Sequence, residues 1–262
     1  MNAKPTNPGI DDTFEGAIEM PPGESGRGEG ASIIEAALSK IAPNRQVIVR
    51  QGSEVVPGPE LAPILDLSSE RGEEVRALRT SLLLLRDGGA LSLAVLSPGR
   101  REGRSRLAAE LALAFAQLGK RTLLIDADLR NTRLHELFNC TPELGLSDSI
   151  AFHALPHVHP VQGFPHLHLV TAGNSKQVNP LEFLSDHRLA RMLEDWRRNY
   201  TYIIIDTPAA AEYADALAVA ALAQNVLIVS RTNQTGYRQL GEMMRKLSMT
   251  PCYVLGAVVS HT

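Results

Sequence analysis

Apolar residues mark the middle and end of this chain in two rhythms. Short solid runs of strand length stand at 91–96 (LSLAVL), 122–125 (TLLI), 167–171, 202–205 (YIII), 225–230 and 253–259. Runs this short and this apolar suit strands buried on both faces. Between the first two, Leu107, Leu111, Phe115 and Leu118 recur at helical spacing, and Gly119 stops the helix. Another helix is expected from Asn179-Pro180-Leu181-Glu182 through Leu184, Leu189, Met192, Leu193 and Trp196. It opens with an N-cap, a proline at the first helical position and a glutamate placed to reach back. A third is expected over about 234–247, and one more precedes the first strand and runs to Leu85. At least six strands alternating with helices predict an α/β fold, a doubly wound and mainly parallel sheet.

The pattern thins toward the N-terminus. Residues 1–30 are rich in Gly, Pro, Glu and Ser and read as a disordered tail. Residues 32–41 form a short helix candidate with Ile33, Ile34, Ala37, Leu38 and Ile41 on one face, and 47–49 a short strand. Pro57, Pro59 and Pro63 mark a linker. The chain therefore divides into a flexible extension, 1–66, and a folded domain, 67–262. The extension reads as poorly ordered, with a docking segment for a partner as the alternative.

Composition excludes more than it identifies. A hydrophobic content of 44% is that of a globular protein, and a net charge of −3 does not suggest nucleic acid or an acidic membrane surface. Cys140 and Cys252 lie far apart, which suits a reducing cytoplasm. No signal peptide is expected, since residues 1–30 lack an apolar core. No apolar run reaches the ~20 residues that span a bilayer. The expectation is a cytoplasmic protein that reaches the inner face of the membrane only through a partner.

Candidate chemistry gathers after the strands. Residues 98–105, Pro98-Gly99-Arg100-Arg101-Glu102-Gly103-Arg104-Ser105, follow a strand and open a helix. They align with the phosphate-binding spelling G-x-x-x-x-G-K-[ST], but Pro98 replaces the first glycine and Arg104 the lysine. Guanidinium keeps the charge and binds phosphate oxygens, yet it is longer and planar. The chain holds 21 arginines and 5 lysines, so general drift toward arginine is the plain alternative. Asp126 and Asp128 end the second strand and Asp206 ends the YIII strand. In a parallel sheet these three and Ser105 converge on one edge, where ligands bind. His153, His157, His159, His166 and His168 invite a metal reading. Pro156, Pro160 and Pro165 break the segment, and a variable surface loop is the expectation. Glu73, Arg76 and Arg79 recur every three residues, close to one helix face.

Several of these motifs together resemble bacterial tyrosine kinases of capsule and exopolysaccharide synthesis. LLIDADLR at 123–130 resembles their second aspartate motif, YIIIDTP at 202–208 their Walker B, and NPLEFLS at 179–185 their N-P-x-E-L-L helix start. Glu73-x-x-Arg76-x-x-Arg79 matches their self-association motif, and Glu102 fits their G-E-G-K-S loop. The resemblance covers about residues 68–260. Partitioning-type ATPases share the strand-end aspartates but carry an early loop lysine that is missing here.

The resemblance implies a P-loop, partitioning-ATPase-like fold that binds ATP and Mg²⁺. Gly99, Arg100, Arg101, Glu102, Gly103, Arg104, Ser105 and Arg106 would form the nucleotide loop. Ser105, Asp128 and Asp206 would hold the metal. Arg104, Asp126 and Asp128 would be catalytic, with Asp126 helping to activate an acceptor tyrosine. Glu73, Arg76 and Arg79 would carry a ring contact between copies, and the partner would be a membrane chain-length determinant protein. The family's tyrosine-rich C-terminal tail has no counterpart before Thr262; Tyr200, Tyr202, Tyr213, Tyr237 and Tyr253 are scattered, with Tyr202 and Tyr253 expected in the core. Two functions follow: a tyrosine kinase of polysaccharide export with altered catalysis, or an inactive nucleotide-gated scaffold of the same machinery.

Overall fold

The computed structural model describes residues 50–85, 89–142, 144–152, 154–174, 179–181 and 187–261. Its centre is made by the chain's most apolar runs. Strands β2 (Leu91–Leu96), β3 (Thr122–Asp126) and β6 (Tyr202–Asp206) are buried at every position. The other strands are β1 (Arg50–Gln51), β4 (His157–Val161), β5 (Phe164–Val170), β7 (Asn225–Arg231) and β8 (Tyr253–Ser260). The sheet order is β1-β4-β5-β3-β6-β2-β7-β8. Every pairing is parallel except β4 with β5.

Helices cover both faces of this sheet. They are α1 (Ala62–Leu65), α2 (Glu70–Leu84), α3 (Arg104–Ala116), α4 (Leu134–Leu137), α5 (Leu146–Ala151), α6 (His187–Asn199), α7 (Asp215–Ala223) and α8 (Tyr237–Leu247). Alternation along β2 separates two cores. Leu91, Leu93 and Val95 pack with Val75 of α2 and with Leu107 and Phe115 of α3. Ala94 and Leu96 pack with Trp196 of α6, Val219 of α7 and Leu247 of α8. This is the period-two signature of a sheet buried on both sides. The Phe115 ring sits 4.4 Å, centroid to centroid, from that of Tyr202.

The sheet order sets the acids side by side. β6 lies between β3 and β2, and Asp126 is the register partner of Asp206, which is itself the partner of Val95. The loops that leave β2 and β3 therefore flank Asp206.

The described part of the folded unit begins at Arg50, ahead of the boundary expected at residue 67; residues 1–49 lie outside the described residues. Val55, Leu61 and Ile64 are core residues, and β1 extends the sheet along β4. Pro59 and Pro63 do not mark a linker. Each occupies the first turn of a short helical segment, where its missing N–H costs nothing. The helix expected at 32–41 and the strand at 47–49 lie outside the described residues, as do Glu182 and Leu184 of the expected 179–196 helix. Of that helix's start, Asn179 Oδ1 accepts from the Leu181 N–H at 3.2 Å.

The histidine segment is also corrected. From His157 to His168 it is not a surface loop but the β4–β5 hairpin, turned at Gly163 with φ of +78°, and His153 lies outside the described residues. A register irregularity lies between Pro160 and Val161 of β4. His159 is buried, its Nδ1 2.9 Å from the Ser53 carbonyl oxygen. Tyr253, expected in the core, is 72% exposed at the start of edge strand β8.

Ile64→Ala tests the corrected boundary. A buried isoleucine truncated to alanine costs about 2–5 kcal/mol. Urea unfolding should show a loss of that size, whereas a linker position would show almost none.

Candidate functional site

The loop joining β2 to α3 is built from its own small residues. Gly103 takes φ of +89° to turn the chain into α3, and Arg101 also lies in the left-handed region at +59°. Ser97 donates its hydroxyl to the Gly99 carbonyl at 2.8 Å. Glu102 is buried and accepts from the Gly99 N–H at 2.9 Å and from the Thr235 hydroxyl at 2.6 Å.

Neighbouring loops clasp it from two sides. After β6, the N–H groups of Ala210 and Ala211 donate to the carbonyls of Ser97 and Pro98. At the end of β7 and just after it, Arg231 and Gln234 donate side-chain N–H groups to the carbonyls of Arg101 and Arg100. Thr207 ties β6 to β2 by donating to the Val95 carbonyl at 2.8 Å. The loop's carbonyls are thus spent outward. The backbone N–H groups of residues 100–106 donate to nothing among the described residues. Free N–H groups at a helix start make an anion site.

These groups border an open cleft of about 740 Å³. Its lining is strongly cationic, including Arg100, Arg101, Arg106, Arg133 and Arg231. Most are tethered: Arg100 to Glu212, Arg106 to Glu110 and Arg133 to Glu60. Arg101 has no ion-pair partner among the described residues.

Arg104 does something different. Its guanidinium turns down between the strand ends. Nε lies 3.2 Å from Asp206 Oδ1, Nη2 2.9 Å from Asp128 Oδ2, and Nη1 2.7 Å from Ser97 Oγ. Only 8% of its side chain is exposed, against 2% for Asp128 and none for Asp206. This is a dry, three-way hydrogen-bonded ion pair.

The carboxylates respond to burial and to each other. Asp126 is held well above the ordinary carboxylate range by burial and by Asp206 and Asp128, despite accepting from the N–H groups of Asp128, Arg133 and Leu134. Asp128 is raised to about 6 by burial, with Arg104 pulling it back. Asp206 is raised by burial, opposed by Arg104 and the Ser105 hydroxyl. Behind them, Arg130 pairs with buried Asp215 at 2.6 Å and stacks on Tyr213, which also hydrogen-bonds Arg100.

Magnesium does not fit this arrangement. The Arg104 guanidinium fills the space between Asp128 and Asp206 that the ion would need. A polyphosphate does fit, on the unspent N–H groups and the cationic cleft.

The structure thus brings Arg104, Ser105, Asp126, Asp128 and Asp206 to one place, with residues 100–106 around the cleft and Gly99 behind them, bound to Glu102. Glu102 faces into the loop rather than out. Glu73, Arg76 and Arg79 stand apart on α2, where Arg76 pairs with Glu73 and reaches the Leu67 carbonyl, and Arg79 donates to the Ala114 carbonyl of α3. Sequence reasoning missed Ser97, Thr235, Arg231 and Gln234. Ser97 was signalled by its place directly after β2; Arg231 ends β7 and the other two follow it, where no motif marks them.

Comparison with known proteins agrees with the fold and the loop. The family described as ATPase MipZ matches residues 98–234. The tyrosine-protein kinase YwqD of Bacillus subtilis is 31% identical over 195 residues, 73% of this chain and 81% of that protein. The succinoglycan biosynthesis transport protein ExoP of Rhizobium meliloti is 31% identical over 65% of this chain, but only 22% of its own length. The chain spans about a quarter of the length of other curated tyrosine-kinase relatives. Among solved structures, the kinase domain of Escherichia coli tyrosine kinase ETK superposes with a TM-score of 0.66 at 28% identity, covering 71% of this chain and 73% of that one.

Glu102→Ala removes the acceptor for one buried N–H and one hydroxyl. The unpaired groups should lower stability by about 1–3 kcal/mol in urea unfolding. Glu102→Gln, which keeps an acceptor oxygen, should lose less.

Proposed function

We propose, from the premise that this chain belongs to the bacterial tyrosine kinase family of P-loop proteins, that it is a nucleotide-gated regulator of polysaccharide assembly. It binds ATP in the arginine-lined cleft. It relays nucleotide state to a membrane chain-length determinant protein and transfers phosphoryl groups only slowly. The relatives named as kinases and as a succinoglycan transport protein support the setting. The observation that carries the slow-transfer reading is the Arg104 cross-link to Asp128, Asp206 and Ser97.

Phosphoryl transfer depends on placing charge against the transferring oxygens. Arg104 stands at the position of the loop lysine, but its charge is committed to the strand-end acids. The phosphates are left to the N–H groups of residues 100–106 and to Arg101. Burial and the neighbouring Asp206 and Asp128 raise Asp126, the expected activator of an acceptor hydroxyl, which disfavours the ionised form that such a role needs. The site is built to hold a nucleotide more than to turn it over.

Assembly into a ring through Glu73, Arg76 and Arg79 belongs to the same proposal. Glu73 offers an exposed carboxylate, with 74% of its side chain accessible. Arg76 Nη1 and Arg79 Nε are buried donors without a partner among the described residues. The partner protein would supply the attachment to the membrane. Among the described residues no helix is long and apolar enough to cross one.

Arg101→Ala should weaken ATP binding by about tenfold, the size of one lost charge-assisted contact. Calorimetric titration of the full chain measures this. With γ-labelled ATP, wild type should label tyrosine slowly or not at all, and Arg104→Lys should label it faster. Rapid labelling by wild type, abolished by Asp126→Asn, would replace this reading with that of a competent kinase.

A further inference from the structure

We infer that Arg104 is the resident cation of this site and makes its nucleotide binding independent of divalent metal. The inference deepens the proposed nucleotide role and rests on it for the ligand, though not for the cation.

Adjacent strand ends in this fold bring buried carboxylates together, and such a group needs a counter-charge. Here the chain supplies it. One planar fork meets Asp206 at 3.2 Å, Asp128 at 2.9 Å and Ser97 Oγ at 2.7 Å at once. The Ser97 hydroxyl is itself anchored on the Gly99 carbonyl, so the seat is preformed. All three side chains of the ion pair are at least nine-tenths buried. For Mg²⁺ to enter, the guanidinium would have to leave both acids, and the ion would have to shed water to replace it.

The arginine is the residue that makes this arrangement possible. Its delocalised fork donates in several directions within one plane. A lysine ammonium is a compact point charge and cannot span both acids and the hydroxyl together. Arg104→Lys should therefore open the space between Asp128 and Asp206 to a metal. The phosphate charge that metal and lysine would share falls instead to the N–H groups of residues 100–106 and to Arg101, which has no competing ion pair among the described residues.

The test has two arms on the full chain. The first uses metal alone. Wild-type melting temperature should not move with millimolar MnCl₂ or MgCl₂, while Arg104→Ala should gain several degrees from MnCl₂, as a ligand bound only by the folded state requires. The second titrates ATP in MgCl₂ and in EDTA. Wild-type Kd should agree within about twofold between the two, and Arg104→Lys should bind at least about tenfold tighter with metal. A wild-type shift with MnCl₂ alone, or a tenfold loss of wild-type ATP binding in EDTA, would overturn the inference. If ATP binds in neither buffer, the nucleotide role fails, and the MnCl₂ arm still decides the cation. Should Arg104→Ala not fold, the wild-type and Arg104→Lys shifts carry the same decision.

Discussion

Arg104 carries the positive charge that lets three carboxylates sit together at the carboxyl edge of the sheet. Asp126 and Asp206 are register partners on neighbouring strands, and Asp128 follows two residues later. Burial raises all three; Asp206 and Asp128 also oppose ionisation of Asp126, and Asp206 opposes that of Asp128. One guanidinium resolves the conflict. It pairs with Asp128 and Asp206, while Asp126 accepts from three backbone N–H groups. Because the acids end central strands and Arg104 opens α3, the same contact joins α3 to the sheet it covers.

The surrounding loops keep that contact in place. Glu102 and Ser97 fold the phosphate loop onto itself, and Thr235 holds Glu102 from the loop after β7. Thr207 holds the end of β6 against β2. A second buried charge is handled similarly at the other end of α3's first turns: Glu110 has no exposed side-chain surface and is paired by Arg71 of α2 and Arg106 of its own helix. In both places an arginine fork, rather than a lysine, spans the geometry. The arginine bias of the chain thus has a structural use at its site, beyond compositional drift.

Much of this was legible in the sequence, and the misses have physical causes. The solid apolar runs marked β2, β3 and β6, and their terminal aspartates marked the site, because wholly buried strands read without alternation. The loop was recognisable despite Pro98 and Arg104 because its place between strand and helix is a stronger signal than its spelling. The direction in which Arg104 turns was not legible: a long side chain at a helix start can face phosphate or sheet, and only the position of Asp206 decides. β4 was hidden by Pro160 and two histidines, since its partners rather than its composition make it a strand. Helix α7 is apolar on every side and offers no stripe to periodicity. Pro59 and Pro63 look the same in a linker and at a helix start, and the difference lies in Leu61 and Ile64, which they deliver to the core.

The most direct test of the account is a crystal structure of the full chain grown with MnCl₂ and a non-hydrolysable ATP analogue, with anomalous data at the manganese edge. The account predicts analogue phosphates on the N–H groups of residues 100–106, no manganese peak between Asp128 and Asp206, and the Arg104 guanidinium still bound to both. A manganese ion seated between those aspartates, with Arg104 swung out to the phosphates, would contradict it.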